Sequence, residues 1–236
     1  MGHIAERLQA VRSALRDAAA KAQRDWQEID LLAVSKTFSS DAIAEALSAG
    51  QFRFGENYVQ EAVPKIEAIG DAARVEWHMI GPLQSNKTAL VARHFAFVHS
   101  VDREKIAARL SAARPDALPP LSVCVQVNIS GEHTKSGVAP ADALQLCRSV
   151  AAMPRLRLRG FMGIADPDAD IATIRAQFRS LRTLFDAART DGLPVDTLSM
   201  GMSADFEAAI AEGATMVRIG SAIFGARERK MSEERL

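Results

Sequence analysis

Cysteine, aromatic side chains, excess charge and long apolar runs are all scarce or missing in this chain of 236 residues. The two cysteines, Cys124 inside an apolar run and Cys147 in a helical pattern, have neither a metal-ligand neighbour nor a CxxC partner, which leaves them as inert packing residues. With 29 basic and 29 acidic side chains the net charge is zero. No global electrostatic footprint for nucleic acid or an anionic membrane surface exists, so small molecules are the expected partners. No stretch approaches the roughly 20 apolar residues of a membrane span, and the opening MGHIAERLQAVRSALRDAAAKAQ is charged throughout, without a signal core. A reduced, cytoplasmic protein is expected. The histidines His3, His78, His94, His99 and His133 form no HExxH or paired metal spacing, so no metal is expected, and no GxGxxG dinucleotide turn occurs.

What the chain does contain is order. Ile4, Leu8, Val11, Leu15, Ala18, Ala22 and Trp26 recur at steps of three or four, predicting one long amphipathic helix before any strand. The period then alternates. Strands are predicted at 31–35, 51–56, 75–81, 95–101, 121–129, 155–165, 196–202 and 216–221, and helices between them at 40–50, 57–70, 86–94, 102–113, 140–153, 170–191 and 203–213. Pro115, Pro119 and Pro120 break one connection. Eight strands separated by seven helices predict an α/β fold, a single (β/α)8 TIM barrel with an extra N-terminal helix. Residues 1–28 would pack on the barrel of 29–228, and the charged tail 229–236 would be solvated.

In such a barrel the chemistry lies at the C-terminal ends of the strands. Lys36 ends the first strand, Asn57 follows the second, His78 lies in the third, Asn128 and Lys135 lie at and beyond the end of the fifth, and Ser203 and Ser221 follow the last two. In SMGMSAD, Gly201 and Ser203 precede a helix that Ser203 can cap, and RIGSAIFG repeats the arrangement with Gly220 and Ser221. Two such loops side by side suit a phosphate, although capped helices with glycine turns would look the same. Arg218 alternates with Val217 and Ile219, which points it into the barrel, where it must find a partner such as Glu56 or a ligand atom. A lysine in an apolar mouth loses solvation, which lowers its pKa and frees the neutral amine for capture of a carbonyl; a snorkelling surface lysine is the alternative. Lysine beside a phosphate cradle implies a phosphorylated aldehyde or ketone.

AVSKT, FGENYVQEA, WHMIGPLQSNK, the HTKSG turn, RLRGFMGIA and LSMGMSADFEAAIAEGATMVRIGSAIFGAR, in that order from Leu31 to Arg227, closely resemble the pyridoxal 5′-phosphate homeostasis protein family. That family shares the barrel of alanine racemase and the other fold type III pyridoxal phosphate proteins. The resemblance implies an internal aldimine on Lys36, Asn57 beside the ring, Ser203, Gly220 and Ser221 at the phosphate, and Arg218 at the pyridine nitrogen. His78, Ser199, Gly201 and Met202 complete the cofactor-binding set it suggests. An arginine there opposes protonation of the ring and weakens it as an electron sink. The chain departs from the family at Phe38 and Ser39, which makes the edge beside Lys36 more apolar. Lys135 is a second amine on the rim.

Racemases of this fold add a C-terminal β domain carrying a second acid–base residue. Here the chain ends about one turn after its last strand, so a monomeric, non-enzymatic protein is expected that holds pyridoxal phosphate for intracellular vitamin B6 homeostasis and serves apo-enzymes that accept it. A weak amino-acid racemase, and a Schiff-base aldolase acting on a phosphorylated sugar, remain as alternatives.

Overall fold

The computed structural model describes residues 3–70, 75–132 and 135–225. Eight parallel strands close in chain order into one barrel: β1 (Asp30–Val34), β2 (Arg53–Glu56), β3 (Glu76–Met79), β4 (Phe97–Val101), β5 (Leu121–Val127), β6 (Leu156–Gly163), β7 (Thr197–Ser199) and β8 (Met216–Ile219). The ring shuts where β1 meets β8, with Leu32 level with Arg218. Around it lie α2 (Ser40–Ser48), α3 (Val59–Ile69), α4 (Thr88–His94), α5 (Glu104–Ala113), α6 (Pro140–Ala151), α7 (Ile171–Thr190), α8 (Phe206–Ala211) and α9 (Ser221–Phe224). The (β/α)8 barrel expected from the alternation is the architecture found.

Strand alternation divides the interior into two zones. Val98, Val123, Val125 and Phe161 belong to the main core with the apolar faces of the helices, whereas their neighbours Phe97, Cys124 and Met162 form a separate cluster. Cys124 and Cys147 are both buried; burial pushes their thiols up, to about 12 for Cys147, which suits inert packing.

The first helix, α1 (His3–Lys21), buries Ile4, Leu8, Val11, Leu15 and Ala18 and packs against α2, α8 and α9. It stops before Trp26, which sits in a single 3-10 turn, 41% exposed, beneath the Arg16 guanidinium. Other boundaries also shift. Strand two starts at Arg53 because the Gln51 amide donates to the Leu31 and Arg53 carbonyls, leaving Phe52 outside. Strand seven ends at Ser199, since Gly201 takes φ +91° and turns the chain outward. Helix α8 begins only at Phe206, its N-cap position held by Asp205, whose carboxylate accepts from the Met202 N–H. Ser203 is therefore not the cap. Strand eight ends at Ile219, and Ser221 opens α9. The tail 229–236 lies outside the described residues.

Candidate functional site

At the C-terminal mouth a cavity of about 320 Å³ is lined by Lys36, Asn57, Ser203, Arg218, Gly220 and Ser221 among polar and small residues, and by Val34, Phe38, Ile80, Ile164 and Met202 among apolar ones. Its volume is in the range of small-ligand sites. Six of the ten cofactor-binding residues expected from the sequence thus line one wall with Met202 as a seventh, and each arrives by a different route.

Lys36 follows β1 by a tight turn. The Ser35 N–H donates to the Gly55 carbonyl and the Phe38 N–H to the Ser35 carbonyl, while Thr37 between them takes φ +69°. A β-branched residue in that region is strained, at a typical cost of about 1–3 kcal/mol. Phe38 stacks on Phe224 of α9, ring centroids 5.0 Å apart, so the apolar edge beside Lys36 is a built wall joining β1 to the last helix. Beneath it lies a buried cluster that sequence reasoning missed: Lys65 Nζ donates to Glu56 Oε1 at 2.8 Å and to the Ser35 carbonyl at 3.0 Å, and the Ser35 hydroxyl donates to the same carboxylate at 2.6 Å. Burial raises the Glu56 pKa against these partners. The cluster clamps the strand ends that carry Lys36 and Asn57.

Asn57 is held from the other side by Gly81. A Cβ on Gly81 would come within 2.2 Å of the Asn57 carbonyl oxygen, so only glycine lets the two loops touch. The Asn57 side-chain oxygen is buried and has no hydrogen-bond partner among the described residues. Ser203 and Ser221 bring the last two loops together, their hydroxyls 3.4 Å apart. Among the described residues no acceptor takes the backbone N–H groups of Ser203, Ala204 or Ser221. Gly220 lies against β1, where an added Cβ would stand 3.1 Å from the Val34 carbonyl oxygen.

Arg218 is 4% exposed and does not pair with Glu56, which Lys65 occupies. Its NH1 donates to the Ser199 carbonyl at 2.6 Å and hydroxyl at 2.8 Å, and its NH2 to the Gly163 carbonyl at 3.0 Å. Burial lowers its pKa to about 10, so it stays charged at neutral pH. Of the five guanidinium hydrogens, Nε–H and one on NH2 keep no acceptor among the described residues.

Three expected residues do not line the cavity. Gly201 serves the turn after β7, where a Cβ would meet Ala209 at 2.6 Å. Ser199 and His78 are fully buried below Arg218 in the barrel interior, joined through His99 of β4, which the alternation of FVHSV places beside Phe97. Asn128 organises its own loop, accepting from Ser130 and Gly131 and donating to the Glu132 carbonyl. Lys135 stands 3.6 Å from Glu132 and lines an adjoining cavity of about 260 Å³ that shares Asn57, Ile80 and Ile164 with the first. His133 and Thr134 of its turn lie outside the described residues.

Residues 7–228 match the family described as alanine racemase, N-terminal domain. The pyridoxal phosphate homeostasis protein of Pseudomonas aeruginosa is 54% identical over 228 residues, covering 97% of both chains. PipY of Synechococcus elongatus, solved with pyridoxal phosphate bound, superposes with a TM-score of 0.82 at 36% identity, over 94% of this chain and all of that one. Alanine racemase of Corynebacterium glutamicum shares the fold, with a TM-score of 0.71 at 20% identity, and this chain spans 60% of its length.

Proposed function

The chain belongs to the pyridoxal phosphate homeostasis protein family, within the wider family of the alanine racemase N-terminal domain, and from that premise we propose that its barrel mouth binds pyridoxal phosphate and holds it for intracellular vitamin B6 homeostasis. The observation that carries this reading is the convergence of Lys36, Asn57, Ser203, Arg218 and Ser221 on one cavity. When bound, pyridoxal phosphate supplies an aldehyde that a primary amine captures reversibly. Lys36 is the amine in reach, and the wall of Phe38 and Phe224 shields it from bulk water on one side.

The donors fit the rest of the group. The unpaired N–H groups of Ser203, Ala204 and Ser221, with the two serine hydroxyls, suit a phosphate. The spare Arg218 hydrogens suit a ring nitrogen that accepts, and the unpartnered Asn57 oxygen suits a donor on the ring. An arginine that remains charged at neutral pH keeps that nitrogen an acceptor, since a guanidinium only donates and its charge opposes a proton on the ring.

Holding rather than turnover is the role carried by the name of the relatives this chain matches over nearly its whole length, and Lys36 and Arg218 are the ionisable side chains that line the cavity among the described residues. The folding unit we propose is the barrel of 29–228 with residues 1–28 packed on it, acting as a monomer in the cytoplasm and releasing its load to apo-enzymes.

The test is borohydride reduction of the protein loaded with pyridoxal phosphate, followed by peptide mass mapping, alongside Lys36→Ala. The expected result is a pyridoxyl adduct on Lys36 and loss of the visible band in the variant. An adduct confined to Lys135 or scattered over surface lysines overturns the assignment. Exchange of an amino acid's α-hydrogen with solvent faster than free pyridoxal phosphate achieves would replace the carrier reading with a catalytic one.

A further inference from the structure

A line of buried polar groups crosses the barrel from the cavity to its opposite end. Arg218 NH1 lies 2.8 Å from Ser199 Oγ, Ser199 Oγ 2.8 Å from His99 Nδ1, and His99 Nε2 2.8 Å from His78 Nδ1. His78 Nε2 then faces Glu76 Oε1 at 3.5 Å. Glu76 in turn accepts from Arg53, which also pairs with Asp30 at the outer end. The four links come from β8, β7, β4 and β3, on both sides of the barrel.

Chemistry decides which way every hydrogen in this line points. A guanidinium only donates, so the Ser199 hydroxyl accepts from Arg218. The one hydrogen of that hydroxyl then has His99 Nδ1 as its acceptor; if Nδ1 donated instead, the hydroxyl hydrogen would be left unpaired in a site with no water access, at the cost of an unmade buried hydrogen bond. His99 therefore carries its proton on Nε2 and gives it to His78 Nδ1, and His78 in its turn carries its proton on Nε2, toward Glu76. Burial holds both rings neutral, which the arrangement requires.

We propose that Ser199, His99 and His78 form a one-way hydrogen-bond chain, running from Arg218 to His78, whose Nε2 makes no hydrogen bond among the described residues and lies 3.5 Å from Glu76, and that this chain acts as a set of positioning residues for the Arg218 guanidinium. Each hydroxyl or ring that gives its proton onward accepts more strongly behind, so the chain sharpens Ser199 Oγ as an acceptor for Arg218. With NH1 pinned by Ser199 and NH2 by Gly163, the guanidinium plane is fixed and the spare hydrogens on Nε and NH2 hold one orientation at the cavity. The chain supplements the charge of Asp205, the carboxylate that raises the Arg218 pKa against burial without touching it.

This inference uses the pyridoxal phosphate reading only in its last readout. In the full chain with 15N-labelled histidine and arginine, without added ligand, both His78 and His99 should be neutral Nε2–H tautomers, and the Arg218 η protons should give separate signals because the group does not rotate. In Ser199→Ala and His99→Phe those signals should merge, and His99→Gln, which keeps an acceptor and a donor, should restore much of their separation. A proton on His99 Nδ1, or Arg218 signals indifferent to both variants, overturns the chain. If His99→Phe does not fold, Ser199→Ala, the loss of one oxygen atom, carries the test.

In the loaded protein both variants should move the visible band and raise the dissociation constant for pyridoxal phosphate roughly tenfold, as loss of one hydrogen bond to a charged group predicts. An unchanged band and constant, with the Lys36 adduct intact, overturns the positioning role. Expected tautomers and Arg218 signals in a protein that forms no adduct would remove the cofactor reading and leave the chain standing; inverted tautomers with a normal adduct would do the reverse.

Discussion

Single atoms set the tolerance of this site. Gly81 is the sharpest case, because a methyl group there would sit 2.2 Å from the Asn57 carbonyl oxygen, and that oxygen belongs to backbone that cannot swing aside. Gly81→Ala is expected to destabilise the protein by about 1–3 kcal/mol, the usual range for overpacking, and to weaken uptake of pyridoxal phosphate by moving Asn57. Urea denaturation and a binding titration check both effects. Unchanged values would mean that the two loops are not held by this contact. Thr37 makes the opposite bargain, keeping a strained φ of +69° beside Lys36, with its N–H on Glu61. Strain next to Lys36 fits a turn selected for where it aims the chain.

Between strands, what matters is how buried ionisable groups divide along them. The ordinary histidine value is 6.5, and burial keeps both His78 of β3 and His99 of β4 below it. As pH falls under 6.5 the unfolded chain therefore takes up protons that the folded chain refuses, and stability drops. Glu76 works in the same sense further down. The His78 N–H, with Arg53, holds its pKa at about 2 against an ordinary 4.5, so its contribution is complete above 4.5 and lost as pH falls from 4.5 toward 2. Glu56, raised by burial, opposes that loss. The melting temperature should thus be level from pH 8 to 7 and fall below about 6.5. Replacing both His78 and His99 by Phe should flatten the slope between 6.5 and 5, measured by thermal unfolding across a pH series. A slope unaltered in the double variant would mean that other groups carry the acid sensitivity.

Taken together, the helices do more than cover the barrel. Helix α1 lies across α8 and α9, the elements that follow Ser203 and begin at Ser221, and just past its end Arg24 NH1 donates to the Ile210 carbonyl of α8 and to the Ala214 carbonyl beyond it. Arg12 ties it likewise to the Ala49 and Gly50 carbonyls behind α2. Each of the buried Ile4, Leu8, Val11 and Leu15 side chains contributes about 1.5–3 kcal/mol. Removal of residues 1–25 should leave a chain that aggregates, or that melts well below the full protein and no longer retains pyridoxal phosphate. Size-exclusion chromatography and the visible band report on it. A truncated chain that stays soluble and binds fully would show that α1 is an appendage.

The order of strands and helices, the closed barrel, the apolar stripe of α1 and the inward aim of Arg218 were all legible in the chain, because each follows from a period of 2 or 3.6 repeated within a few residues. Lys36, Asn57, Ser203 and Ser221 could be placed at one mouth for the same reason, since every strand end of a parallel barrel faces the same way. Depth could not be read. Whether Ser199 and His78 reach the cavity or lie beneath it depends on the stagger of all eight strands, a property of the closed ring that no local pattern carries. The same holds for partners. Arg218 sits within reach of Ser199 and Gly163 because packing distributes hydrogen-bond acceptors across strands far apart in the chain, and Glu56 is claimed by Lys65 nine residues on because helix α3 folds back over the end of its own strand. Residue types determined what chemistry was available, and the stagger of the barrel decided which groups share it.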